Sequence, residues 1–555
     1  MKIRNVSAFI LVVCAMLTLA SCGQHNNTDQ SAESSSGSVS TGAESIAEPD
    51  AQTNPFTLAY YSAEGLHPYT CDNAANQTIT GLIYEPLFEI SDSFEAEPCL
   101  ALKCTVNVTS ASGPVTEEGN TDETGREDQS DGGETEKEKN KRSKIAGETV
   151  CTIELRDDVK FSNGETMTAS DVVYSLEQAA KSGSIYADRL SDVKTVRASG
   201  SNTVEITLDA ANAAFETLLD IPIVCIDTGR NAIPDGTGPY QVQEKNGKAK
   251  KLVKNSRWWQ GKQLPTEEVK LYAAEDSDML IFGFGSGAVS VVATDITGTG
   301  SLTYTGEYDV VDYPTTNLIY VGCNTRSGPC QSRSFRQMLN YAFDRETLSV
   351  KMLSGHAQAA VLPVSPKSNL YDEKLAEKYD CSEEKAKELL QEATYYGLTL
   401  RLIVNSESTF KTAFAAELKK ELEAVGINVE VKELAWSDFS EALDSREFDL
   451  YLGEVKLTAD FDITELVSEN GNLNYGGYRD DALEKLLTDY QTATIQERSK
   501  AANKFYRAVA EEAPIIPLCF KNNSVLTHWG AETVITPTQQ NLFYHFADWD
   551  LQRNS

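Results

Sequence analysis

The period of the apolar positions changes several times along the chain, and each change marks an element. Apolar and polar residues alternate from Ala101 to Val108 and again from Thr149 to Leu155, the pattern of two half-buried strands. Thr168-Ala-Ser-Asp171 reads as a capping box opening a helix, with Val172, Val173, Leu176 and Ala180 on one face. Between 398 and 452 the periods alternate. Leu398–Val404 predicts a strand, and Phe410–Val425 a helix aligned on Phe414, Leu418, Leu422 and Val425 and stopped by Gly426. Ile427–Val431 then predicts a strand, Trp436–Leu443 a short helix and Phe448–Leu452 a strand. The order βαβαβ implies a sheet with parallel pairs and covering helices, hence an α/β domain. Ligands of such sheets sit at the carboxyl ends of the strands, here the residues just after Leu452.

Two segments carry no such pattern. Gln24–Thr53 has no aromatic residue and seven serines, the composition of a flexible tether. Thr116–Lys144 holds ten acidic and six basic side chains and no hydrophobic one, so it predicts a disordered loop capping the hairpin of the first two strands. Cys104 and Cys151, in the strands flanking that loop, are the best candidate cysteine pair. Gly283-Phe-Gly-Ser-Gly287 reads as a glycine-rich turn, since its spacing fits neither a dinucleotide loop nor a nucleophile elbow.

The N-terminus adds a destination. Lys2 and Arg4 precede an apolar run from Val6 to Ala20, which Leu19-Ala20-Ser21-Cys22 closes. This resembles a bacterial lipobox, so residues 1–21 are expected to be a lipoprotein signal peptide and Cys22 the lipid-bearing first residue of the mature chain. Two acyl chains would anchor the protein to the cell membrane, with 22–53 as tether and the folded part outside the cytoplasm.

The 555 residues are 41% hydrophobic, enough for two or three domains. With 83 acidic against 49 basic side chains the net charge is −34, which excludes a nucleic-acid binder. There is no C-x-x-C, the five histidines are far apart, and neither a P-loop nor an H-E-x-x-H occurs. No metal, cofactor or catalytic residue is expected, and His67 and His356 read as packed or surface residues.

Several blocks then match one family in order. They are Tyr84-Glu-Pro-Leu-Phe88, Leu155–Gly164 followed by Thr168–Ser175, Gly236-Thr-Gly-Pro-Tyr240 with Asn255–Trp259, Arg336–Arg345, Lys385–Ala393, Gly476-Gly-Tyr478 and Ile515-Ile-Pro-Leu518. From about 55 to 545 the chain resembles the extracytoplasmic solute-binding proteins of family 5, the peptide and nickel class serving ABC importers. The resemblance implies a type II periplasmic-binding-protein fold of α/β class, with two lobes, a hinge and an extra domain on the first lobe. On that template 54–75, 197–305 and 525–555 form lobe one, 76–196 the extra domain with its insertion at 113–147, and 306–524 lobe two.

It further implies a monomeric, non-enzymatic receptor that closes over a peptide-like solute and delivers it to a permease with ATPase subunits. Sensing, binding a nickel chelate, haem or sugar, and, less favoured, use of the fold as an extracellular enzyme are the alternatives. Asp72, Asn73 and Ala74 match one contact segment, and Trp436 aligns with a pocket aromatic. The other segment runs from Glu454 through Lys456, Thr458 and Asp460 to Asp462. A gapless count from Asp449 places the family's ammonium-binding aspartate at Thr458, and a two-residue shift places it at Asp460, which is expected to face the cleft.

Overall fold

The computed structural model describes residues 55–110, 143–245, 248–298, 302–393, 397–528 and 535–551. The signal segment, Cys22, the tether and the insertion up to residue 142 lie outside the described residues. Among the described residues no helix is long and apolar enough to cross a membrane.

Strand β1 (Thr57–Tyr61) opens lobe one, and β2 (Phe88–Ile90) and β3 (Ala96–Pro98) form a small hairpin. The extra layer follows as an antiparallel sheet of β4 (Ala101–Ser110), β5 (Gly147–Leu155), β6 (Val193–Ala198) and β7 (Thr203–Leu208), in the order β4-β5-β7-β6. The alternation in β5 buries Thr149, Cys151, Ile153 and Leu155 on one face, as a half-buried strand requires. The helix Ala169–Ala179 buries Val172 and Leu176 in the same core, and the backbone N–H of Thr168 donates to Asp171 Oδ2 at 2.9 Å, closing the expected capping box. The expected domain limit at 196 falls inside β6, because that strand pairs with β7 and carries the layer on to Leu208.

Strands β8 (Tyr240–Lys245), β9 (Lys248–Lys254) and β10 (Glu268–Ala274) complete the lobe-one sheet, with β10 parallel to β1. The glycine-rich segment is not a free turn. A helix, Ser277–Gly285, runs through Gly283 and Gly285, and a Cβ at Gly283 would stand 2.8 Å from the Tyr272 ring. Glycine is therefore needed there for close approach, and only Gly287, at φ +72°, makes a turn.

The second lobe is built on β14 (Thr399–Asn405), β15 (Asn428–Leu434) and β16 (Leu450–Lys456), the βαβαβ unit of the sequence pattern. β14 lies between the other two and is parallel to both. Gly426, at φ +97°, ends the helix Thr409–Ala424. The last strand starts and ends later than expected, because pairing with β12 (Asp309–Cys323) extends it to Lys456 opposite Asn317.

Strands β12 and β17 (Ile515–Thr527) serve both lobes. Their lobe-one ends pair with each other, and β17 pairs there with β11 (Val291–Thr294). Their other ends lie in lobe two, where β16 flanks β12 and the short β13 (Ala357–Ala359) flanks β17. The register between them shifts at Pro314–Leu318, and the apolar core divides at the same place. This is the hinge. Of the limits expected at 306 and 524, the first precedes β12 and the second falls inside β17. The turn of the β2–β3 hairpin crosses to lobe two, where the Phe94 ring meets Phe461 edge-on at 5.0 Å.

Candidate functional site

The parallel strands of lobe two end at the edge facing lobe one. A cavity of about 560 Å³ opens there, lined by Asp295 and Leu302 from lobe one, by Glu407, Phe410, Lys411 and Glu454 from lobe two, and by Lys521 of the hinge strand β17. The lobe-two residues sit in or just beyond the carboxyl ends of β14 and β16, where the exposed strand ends of an α/β sheet receive ligands.

A charged network ties this cavity together. Lys521, with a side chain only 4% exposed, is ion-paired to Asp295 and lies 3.6 Å from Glu454 Oε1. Lys411 Nζ is 2.7 Å from Glu454 Oε2, and Asn317 Nδ2 donates to Oε1 at 2.7 Å. Burial pushes the Glu454 carboxyl up, but Lys411 and Lys521, with the Lys411 and Asn317 hydrogen bonds, outweigh it and hold the group below its ordinary value. Lobe one, hinge and lobe two thus each contribute a charge to one cluster.

The expected contact residues are distributed around this cavity rather than gathered in it. Glu454 lines it. Asp72 is exposed, and Asn73 caps the helix Ala74–Thr80 by accepting the Asn76 N–H at 3.1 Å. Trp436 is 58% exposed at the start of the helix Trp436–Ser445, and its backbone N–H donates to Glu407 Oε1 at 3.1 Å. Lys456 faces the ion pair of Arg189 and Asp220 across the cleft. Burial and Arg189 lower its ammonium while Asp220 raises it.

Asp460, expected to face the cleft, meets lobe one and does not line this cavity. It is 2% exposed, and its carboxylate accepts from Asn212 Nδ2 at 3.0 Å and from the Thr458 hydroxyl. Asp462 is engaged as well, accepting the Thr464 N–H at 2.9 Å and Gln491 Nε2 at 3.2 Å. The segment is held from the helix Asp481–Gln491, whose Tyr490 hydroxyl donates to the Asp460 carbonyl at 3.2 Å.

Sequence reasoning missed Asp295, Glu407, Phe410, Lys411 and Lys521. Glu407–Lys411 follow the carboxyl end of β14, so the rule that pointed beyond Leu452 reaches them too. Asp295 and Lys521 are brought together only by the pairing of β11 with β17 and leave no local signal.

The sequence profile of the bacterial extracellular solute-binding proteins, family 5 (middle region), matches residues 141–462. The chain belongs to this family. The oligopeptide-binding protein AppA of Bacillus subtilis is 23% identical over 423 residues, covering 68% of this chain and 77% of its own. The nickel-binding protein NikA of Staphylococcus aureus is 24% identical over 406 residues, covering 69% and 80%. In fold, the chain is similar to the ABC transporter substrate-binding protein CtaP of Listeria monocytogenes, with a TM-score of 0.64 at 19% identity over 89% of this chain and 98% of that one. The family 5 protein is a non-enzymatic, extracytoplasmic substrate-binding component of an ABC importer.

Proposed function

We propose that this binding protein is a membrane-tethered receptor that takes a peptide-like solute into the interlobe cleft and delivers it to its permease. The observation that carries the reading is the charge pattern of the cavity. Asp295, Glu407 and Glu454 stand against Lys411 and Lys521, both signs within one space of about 560 Å³. A short peptide with free termini is a zwitterion of matching character, and the volume lies in the range that encloses a small ligand. The relative AppA is named for oligopeptides, and NikA for nickel. The peptide choice therefore rests on the cavity, with the ligand selecting a closed arrangement about the hinge.

Uptake of a radiolabelled tetrapeptide by cells with and without this protein tests the transport reading. Uptake that is equal in the two refutes it. Tethering rests on Lys2 through Cys22. Cys22→Ala is expected to abolish metabolic labelling by a fatty acid and to release the protein from the membrane fraction; label retained in the variant refutes the anchor.

A further inference from the structure

Within the peptide reading, on which this inference rests, we propose that the ligand's cationic end, an alkylammonium, is held by Glu407 with the Trp436 ring beside it. The charges of the cavity lead to this residue. Lys521 is taken by Asp295 and Glu454, and Lys411 by Glu454. Among the described residues no basic side chain pairs with Glu407, whose carboxylate receives the backbone N–H of Trp436. Three carboxylates against two ammoniums leave one negative charge in the cavity, and Glu407 is the group that carries it.

Trp436 supplies the second observation. Trp436, with its backbone N–H on that carboxylate and its ring tilted against Phe439 at 6.1 Å, is still 58% exposed and so keeps free π surface for a cation. A carboxylate near an indole face suits an ammonium and repels an anion. The net charge of −34 draws cations toward the protein as well. Asp460 does not line this cavity, and its carboxylate already accepts from Asn212 and Thr458.

Glu407 also has a purely structural use, as acceptor for an N–H at the start of the helix Trp436–Ser445. Glu407→Gln separates the two roles, since the amide oxygen still accepts that N–H while the charge is gone. Titration calorimetry of the full chain would use tetra-alanine, N-acetyl-tetra-alanine and an N-acetylated alanine tetrapeptide carrying one lysine. We expect wild type to bind tetra-alanine at least about tenfold more tightly than its acetylated form. Glu407→Gln should cut that ratio to about threefold or less with an unchanged unfolding temperature, and Trp436→Leu should reduce it in part.

Recovery of the advantage by the lysine peptide would show that a side-chain ammonium serves as well as a terminal one, which supports the inference. A ratio that survives Glu407→Gln, or its absence in wild type, overturns it while leaving the peptide reading in place. If none of the three peptides binds wild type, the peptide reading itself falls and this inference falls with it.

Discussion

Asp460 of lobe two and Asn212 of lobe one are joined by a hydrogen bond of 3.0 Å, which ties the lobes together at the segment expected to meet the ligand. Burial lowers the Arg498 guanidinium, but Tyr490, Asp460 and Glu216 together outweigh it and hold the group above its ordinary value. Removing the Asp460 charge leaves Arg498 with one partner fewer. Asp460→Asn is expected to cost about 2 kcal/mol, the worth of a charge-assisted hydrogen bond. A lowered urea midpoint checks this, and an unchanged midpoint would show that the charge does not support the fold.

Lys521 is the buried cation of the cavity, with Asp295 and Glu454 as partners whose side chains keep 31% and 20% exposure. Lys521→Met would leave two carboxylates facing each other. Breaking a buried pair typically costs 3–5 kcal/mol, and the partial exposure of the acids brings the expected loss to about 2–3 kcal/mol. Because Asp295 and Glu454 belong to different lobes, their repulsion should also favour a wider cleft. Small-angle scattering of the variant should therefore give a larger radius of gyration than wild type.

Glu85 lies buried between two indoles, accepting Trp258 Nε1 at 2.8 Å and Trp259 Nε1 at 2.9 Å. Burial pushes its carboxyl from 4.5 up to about 7, against the pull of the hydrogen bonds from Trp258 and Trp259. A raised value means that the fold favours the protonated form. The stabilisation is therefore complete below pH 4.5 and is lost as the pH climbs to about 7. At about 1.4 kcal/mol per unit this is on the order of 3 kcal/mol. Unfolding free energies measured between those pH values should fall more for wild type than for Glu85→Gln, and parallel profiles would contradict the assignment.

Cys104 and Cys151, 47 residues apart in sequence, are diagonal neighbours across β4 and β5 with Sγ atoms 2.6 Å apart. Outside the cytoplasm an external oxidant can remove two electrons and two protons from such a pair. Mass spectrometry after alkylation should then find both thiols protected until a reductant is added. Reduction should lower stability by about 2–4 kcal/mol. Two freely alkylated thiols in the isolated protein would exclude the bond.

The legible parts of the fold were those whose signal is local. The helices and strands from 399 to 456 follow from periods of 3.6 and 2, and the capping box of Thr168 and Asp171 from four adjacent residues. Strands β12 and β17 were not legible, because each carries a proline, Pro314 and Pro517, which argues against a central strand. The structure tolerates both at the register shifts, where the ladder is already interrupted. The cleft divides in the same way. Glu454 could be found from the strand that ends beside it, whereas Lys521 and Asp295, separated by 226 residues, become neighbours only when the long strands pair.

That interruption sets how the lobes can move. At the shift, backbone groups that a regular ladder would pair are served by side chains: the Thr316 N–H donates to Gln539 Oε1 at 2.6 Å, the Thr316 hydroxyl to the Leu457 carbonyl at 2.6 Å, and the Thr315 hydroxyl to the Lys521 carbonyl at 2.7 Å. Rotatable groups can follow a turning backbone where ladder bonds would have to break. The two long strands therefore join the lobes through a stretch whose bonds can be remade by side-chain rotation, so a change of lobe angle there need not tear a continuous ladder.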